Sequence, residues 1–261
     1  ESFSDACVLP VPALSPGERK KLGEPSLRFH INRLRNVTEP VRTRVTVKVK
    51  VPRNGGSKIN SDIVVRVPEK SSIDVSGVSA DIEVEDVLGE QSLHTVSGDV
   101  RTEGVAADLD VASVSGDVEV EGNREDIETQ ANSVSGDITL FGLGGEIRAE
   151  VVSGDVTIDE GSYDRVAIES VNGDLVFVAE LRKGGRLAAE SVNGDVEIRF
   201  AGDVSADFEI DSFNGSIENC FGPEARRTSK YAPGWELNFT EGDGDGDVTV
   251  STLNGDIHIC K

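Results

Sequence analysis

Aspartate is the residue in this chain whose placement most suggests chemistry. Asp81, Asp99, Asp117, Asp137, Asp155, Asp174 and Asp195 each follow a short Val-(Ser/Asn)-Gly motif, with Ala80 in place of the glycine in the first. If these motifs stack, their carboxylates form a row about 5 Å apart, and each like-charged contact costs about 1 kcal/mol in water and several at lower dielectric. Two arrangements relieve that repulsion. Each carboxylate can accept backbone N–H bonds at its own turn, as in Asx turns. Alternatively, the row from Asp99 to Asp195 can hold hard cations, with Ca2+ the natural partner of carboxylate oxygens. Ser216 stands where a further aspartate would fall, so the row ends there. A parallel row of Ser97, Ser115, Ser135, Ser153, Asn172, Asn193, Asn214 and Asn254 can hydrogen-bond along the same direction, which is a structural rather than a chemical role.

Two other groups qualify as candidate sites. Asp243, Asp245 and Asp247 alternate with glycines, a composition shared with calcium loops. The glutamate that closes an EF-hand is missing, so a flexible acidic turn is the plainer reading. Arg226, Arg227, Lys230, Tyr231 and Trp235 bring basic and aromatic groups together in one short segment, the best candidate for contact with a partner. Its alternative is a cap in which Trp235 covers the core. Enzyme signatures are missing. His30, His94 and His258 show no metal-ligand spacing among themselves, and there is no Gly-x-Ser-x-Gly, phosphate-binding or dinucleotide-binding motif.

The elements that must position these residues are repeats. Glycines 98, 116, 136, 154, 173, 194 and 215 are separated by 18, 20, 18, 19, 21 and 21 residues. A period near 20 is too short for a helix pair and suits one coil of a parallel β-solenoid. Around each turn, apolar residues alternate with period two, as in Leu109, Val111, Val114, Val118 and Val120, which marks strands with one face inward. Second turns fall at Gly104, Gly122-Asn123, 142–145 and 183–185. The expected fold is therefore all-β: a single-chain parallel β-solenoid (β-helix), right-handed, of about nine rungs and roughly 40 Å long.

These repeats resemble the DUF4097 group of bacterial proteins, which carries an adhesin label. The likeness runs from about Asp62 to Lys261. It rests on Val65-Arg66-Val67-Pro68, on Ser72-Ile73-Asp74-Val75, on the serial Val-Ser-Gly-Asp motifs, and on the closing stretches 219–223 and 252–257. The resemblance implies a β-solenoid of the cell envelope, with adhesion and envelope stress as the associated roles. Residues 1–50 fall outside it.

Composition fits export. The net charge is −22. Residues 1–53 hold 11 Lys+Arg against 5 Asp+Glu, leaving 15 (26 − 11) against 43 (48 − 5) in the remainder, a body that repels nucleic acid and anionic lipid. No apolar run is long enough to span a membrane as a helix. The chain lacks Met and begins at Glu1, which reads as a processed, exported form. Residues 1–41 read as a Pro-rich, basic tail, 42–70 as capping strands in which Arg42–Val51 pairs with 63–67, and 71–261 as the solenoid with an insertion near 221–240. Given that insertion, Cys220 and Cys260 each lie five residues after a turn glycine, Gly215 and Gly255. Adjacent rungs would bring them within disulfide range, in an oxidising compartment. The alternative is two buried free thiols. Cys7 is left without a partner in this scheme.

The functional expectation is a non-catalytic, exported envelope or surface module that binds a protein or a cell-surface glycan, needs no cofactor and has no nucleic-acid partner. A glycan-active enzyme on a β-helix scaffold and a Ca2+-dependent binding module are the alternatives.

Overall fold

The computed structural model describes residues 27–33, 61–229 and 233–261. The Pro-rich segment, Cys7, the strand expected at Arg42–Val51, Lys230 and Tyr231 lie outside the described residues.

Every described element is a strand, and the strands join in one coiled sheet. At one end lie β1 (Leu27–Arg33), β2 (Ser61–Val67) and β3 (Ile73–Glu85). β1, within the segment read as tail, pairs in parallel with β2 on one side and with the second half of β3 on the other, so among the described residues β2 forms the edge. The body then winds through β4 (Gln91–Ser97), β5 (Val100–Val105), β6 (Leu109–Ser115), β7 (Val118–Gly122) and β8 (Asp126–Ser135). It continues through three long bent strands, β9 (Ile138–Ser153), β10 (Val156–Asn172) and β11 (Leu175–Asn193), and then β12 (Val196–Phe200). Each strand pairs in parallel with the equivalent strand one turn on, in unbroken register at the motif, for example Asn172 with Ser153 and with Asn193. The sheet is therefore the parallel β-solenoid that the repeat implies.

Its turn count is somewhat lower than the nine expected: about seven turns. Seven corners carry Gly-Asp, at glycines 98, 116, 136, 154, 173, 194 and 255. Two further corners, Ala80-Asp81 and Gly215-Ser216, flank these seven.

The C-terminal end departs from simple winding. β13 (Ala206–Asn214) and β14 (Ile217–Asn219) form the outermost turn. The chain then leaves the coil, and β15 (Arg226–Arg227) and β16 (Trp235–Glu241) run antiparallel, with β16 laid along the free edge of β13. Finally β17 (Gly246–Asn254) and β18 (Ile257–Cys260) enter between turns already made. β17 pairs with β11 and β13, and β18 with β12 and β14. The last segment of the chain is thus the penultimate rung in space.

The core is a column of inward Val, Ile and Leu, such as Val111, Val120, Ile138, Leu140, Ile158, Ile168 and Ile198, all nearly sealed from solvent. Toward the C-terminal end it becomes aromatic. Tyr163, Phe177, Phe200 and Phe208 follow one another along the axis at ring separations of 6.0, 6.2 and 5.9 Å. Phe239 stacks on Phe208 at 4.5 Å and, with Phe221, closes the column.

Candidate functional site

The aspartates do form a row, and their bonds run between rungs. Oδ1 of Asp99 accepts the backbone N–H of Asp117 at 3.0 Å, and Asp117 accepts from Asp137, Asp137 from Asp155, Asp155 from Asp174, and Asp174 from Asp195 at 2.8–2.9 Å. Asp195 accepts from Asp256, and Asp256 accepts both the N–H and the hydroxyl of Ser216. The donor is thus the next turn's backbone, where the own-turn reading had placed it within the same motif. Ser216 closes the row from the outermost turn, which needs a donor and has no further neighbour to accept from. Beside it, the amides of Asn172, Asn193, Asn254 and Asn214 bond in that spatial order at 2.8–3.0 Å.

One carboxylate oxygen of each aspartate is therefore occupied by an N–H. An asparagine oxygen can accept the same bond and carries no charge. Asp155→Asn is expected to leave unfolding free energy within about 1 kcal/mol of the parent, because relief of repulsion from Asp137 and Asp174 offsets a weaker bond. Urea denaturation measures this. A loss of several kcal/mol, with Ca2+ stabilising the parent but not the variant, would instead assign the row to the cation.

The acidic turn faces cations of this chain. Asp245 pairs with Lys183 at 3.1 Å and accepts from the Ser205 hydroxyl, while Asp247 pairs with Arg186 at 3.1 Å. The backbone N–H of Asp243 donates to Ser205 Oγ at 2.9 Å. In the basic and aromatic segment, the Arg227 guanidinium lies 5.0 Å from the Trp235 ring centre, a cation–π contact, and Arg226 pairs across from Glu236 in β16. Trp235 is half-buried opposite Ser212 of β13, and the two arginines are exposed.

Most arginines of the coil are already paired. Arg101 bonds Glu103 and Glu119, Arg148 bonds Glu150 and Glu169, and Arg165 bonds Glu146. Arg182 joins Asp126 and Asp164, and its guanidinium holds the Asp126 carboxyl below the ordinary aspartate range.

The structure also reveals a surface that period-two reading concealed. The valine of each motif points outward. Alternation along β6 buries Leu109, Val111 and Ser113, and the next residue, Val114, is exposed. The Val, Phe or Leu at this position is exposed in every turn, from 39% at Val192 to 73% at Val78, so one side of the rod carries a continuous apolar stripe. It borders a longitudinal groove of about 680 Å³. Glu150, Glu169 and Glu190 form the opposite wall, and the floor includes Ser133, Ser170 and Ser191, whose buried hydroxyls have no hydrogen-bond partner. Among the described residues, no phenyl, phenol or indole ring lines the groove.

Cys220 and Cys260 form the disulfide expected from their common offset, with Cα atoms 4.9 Å apart and a separation of 40 residues. Closing a loop of that length contributes about 4 kcal/mol by the chain-entropy relation. Sequence reading missed a third member of the group. His258 Nε2 lies 3.2 Å from Cys220 Sγ and 2.9 Å from Cys260 Sγ. The signal was present in His258-Ile259-Cys260, because residues two apart in a strand share a face.

Among the described residues, no helix is long and apolar enough to cross a membrane. An all-β coil with paired arginines and an apolar groove fits a non-catalytic binding or structural module. No curated protein and no solved structure matches the chain. The model of the Toastrack DUF4097 family matches residues 56–144 and again residues 145–260. The two matches together cover more than half of the sequence and meet between β9's two arms, as expected for a coil whose turns repeat one pattern; the chain belongs to the Toastrack DUF4097 family.

Proposed function

We infer that this chain is a non-catalytic, adhesin-like binding module, exported to the bacterial cell envelope or surface, which holds an extended partner in the valine-edged groove. The observation that carries this reading is the apolar stripe. A coil that only had to fold could place polar residues at the exposed motif position, yet each turn presents Val, Leu or Phe there. The groove's acidic wall favours a partner with apolar and basic side chains. Its lack of phenyl, phenol and indole rings favours an extended protein segment over a glycan, since sugars stack on such platforms. The disulfide is compatible with an oxidising compartment outside the cytoplasm. A glycan-active role, the competing class, would need free guanidinium groups to neutralise an acidic sugar, and the coil's arginines named above are held by its own carboxylates.

The test is a triple substitution, Val134→Ser with Val152→Ser and Val171→Ser. These side chains are 41–46% exposed, so the variant is expected to lose less than about 1 kcal/mol per site. Labelled parent protein should bind isolated bacterial envelopes, more weakly at high salt, and the triple variant should lose that binding. Equal binding by the two proteins would overturn the groove as the contact surface.

A further inference from the structure

The two cysteines and His258 raise a question that the disulfide alone does not answer. A structural disulfide needs no imidazole, yet Nε2 of His258 is directed at both sulfurs. The three ligand atoms, two sulfurs and one imidazole nitrogen, lie within 4.8 Å of one another, in a group distinct from the aspartate row. They come from two neighbouring rungs. His258 and Cys260 share the outward face of β18, and Cys220 follows β14, with its backbone N–H bonded to the Ile259 carbonyl at 2.9 Å. Their backbones are thus fixed by the parallel ladder whether or not the sulfurs are joined.

We propose that Cys220, His258 and Cys260 form a redox-gated site for a thiophilic d10 ion of the Zn2+ class, closed as the disulfide and opened by a dithiol reductant. Metal–sulfur bonds of about 2.3 Å and metal–nitrogen bonds of about 2.0 Å, arranged tetrahedrally, require sulfurs about 3.8 Å apart with the nitrogen about 3.5 Å from each. Paired strands with Cα atoms 4.9 Å apart allow this with side-chain rotation alone. Three protein ligands leave a fourth position open to water or an exchanging ligand. Cys220 and His258 are exposed and Cys260 is half-buried, so both the reductant and the ion can reach the group. Glu197 and Glu218 pair in register on either side of His258 and add negative charge around a cation.

The dithiol reductant supplies two electrons and two protons and becomes a disulfide, while Cys220 and Cys260 become thiols. On binding, both thiols release their protons to solvent as the two sulfur–metal bonds form, and His258 gives its Nε2 lone pair. The ion then ties together the same two rungs that the disulfide ties. The site goes beyond the groove's proposed role and does not depend on it.

The experiment uses the whole chain, reduced with a small dithiol, freed of excess reductant without air, and titrated with Co2+ and then Zn2+. The reduced protein is expected to develop a near-ultraviolet thiolate-to-cobalt charge-transfer band that saturates at one ion per chain and disappears on addition of Zn2+. The oxidised protein should show none. His258→Ala, which keeps both cysteines, should weaken binding roughly tenfold or more. Circular dichroism follows the fold throughout. Lack of the band in reduced protein overturns the proposal. So does unchanged affinity in His258→Ala, and so does loss of the β spectrum on reduction that Zn2+ fails to restore.

Discussion

Gly154→Ala is expected to lower the unfolding free energy by about 4 kcal/mol or more, several times the loss for Gly142→Ala. Both glycines have positive φ, 146° and 63°. They differ in what surrounds them. A Cβ on Gly142 would meet the Gly122 carbonyl oxygen at 3.4 Å, near ordinary contact, so alanine there bears chiefly the left-handed backbone cost of about 1–2 kcal/mol. A Cβ on Gly154 would overlap the carbonyl of Gly136 one turn below and reach Asp137 Oδ1 at 3.0 Å. Relief requires parting two rungs, and that strains the bond from Asp155 N–H to Asp137 and the bond from Gly136 N–H to the Ser153 carbonyl. Because turns contact only their neighbours, the damage should be local in structure but global in stability. Urea unfolding of the two variants decides the matter. Equal losses would mean that the corner is softer than its stacking implies.

That same crowding explains what the sequence made legible. Each corner brings one backbone against the next, so each needs glycine, and the glycine spacing exposed the coil, its turn length and its parallel direction. The shared offset of Cys220 and Cys260 from Gly215 and Gly255 likewise gave the disulfide, because register in a parallel ladder is a matter of counting. Three features were not available to such counting. Val114 points outward because the alternation runs on through the buried Ser113, so the apolar side chain faces solvent and the hydroxyl faces in, the reverse of what polarity alone suggests. The Cys-His-Cys group combines the Cys220–Cys260 register with the shared face of His258 and Cys260, which spacing among histidines alone does not show. The order of the last rungs was also hidden, because β17 and β13 carry equivalent motifs and either would fit beside β11.

Removing residues 246–261 is therefore expected to do more than shorten the rod by a turn. β17 and β18 bury Val248, Val250, Ile257 and Ile259, which together contribute about 8 kcal/mol. Their loss also leaves β11–β12 on one side and β13–β14 on the other without partners. Hydrogen exchange should show amides of Leu187–Asn193 and Ala206–Asn214 losing protection, while Gln91–Asn172 stays protected. The open edges should drive self-association. Cys260→Ser separates the contribution of the disulfide, since it keeps both strands. The contrary outcome is direct closure of β13 onto β11. Register permits it, because Asn193 and Asn214 both pair with Asn254. Protected amides in β13 of the truncated chain would show it and would make the inserted rung dispensable. In the whole chain, insertion requires β13–β14 to stand apart from β11–β12 until the last residues arrive. The Cys220–Cys260 bond can form only after β18 has entered beside β14, so it both records completed insertion and prevents its reversal.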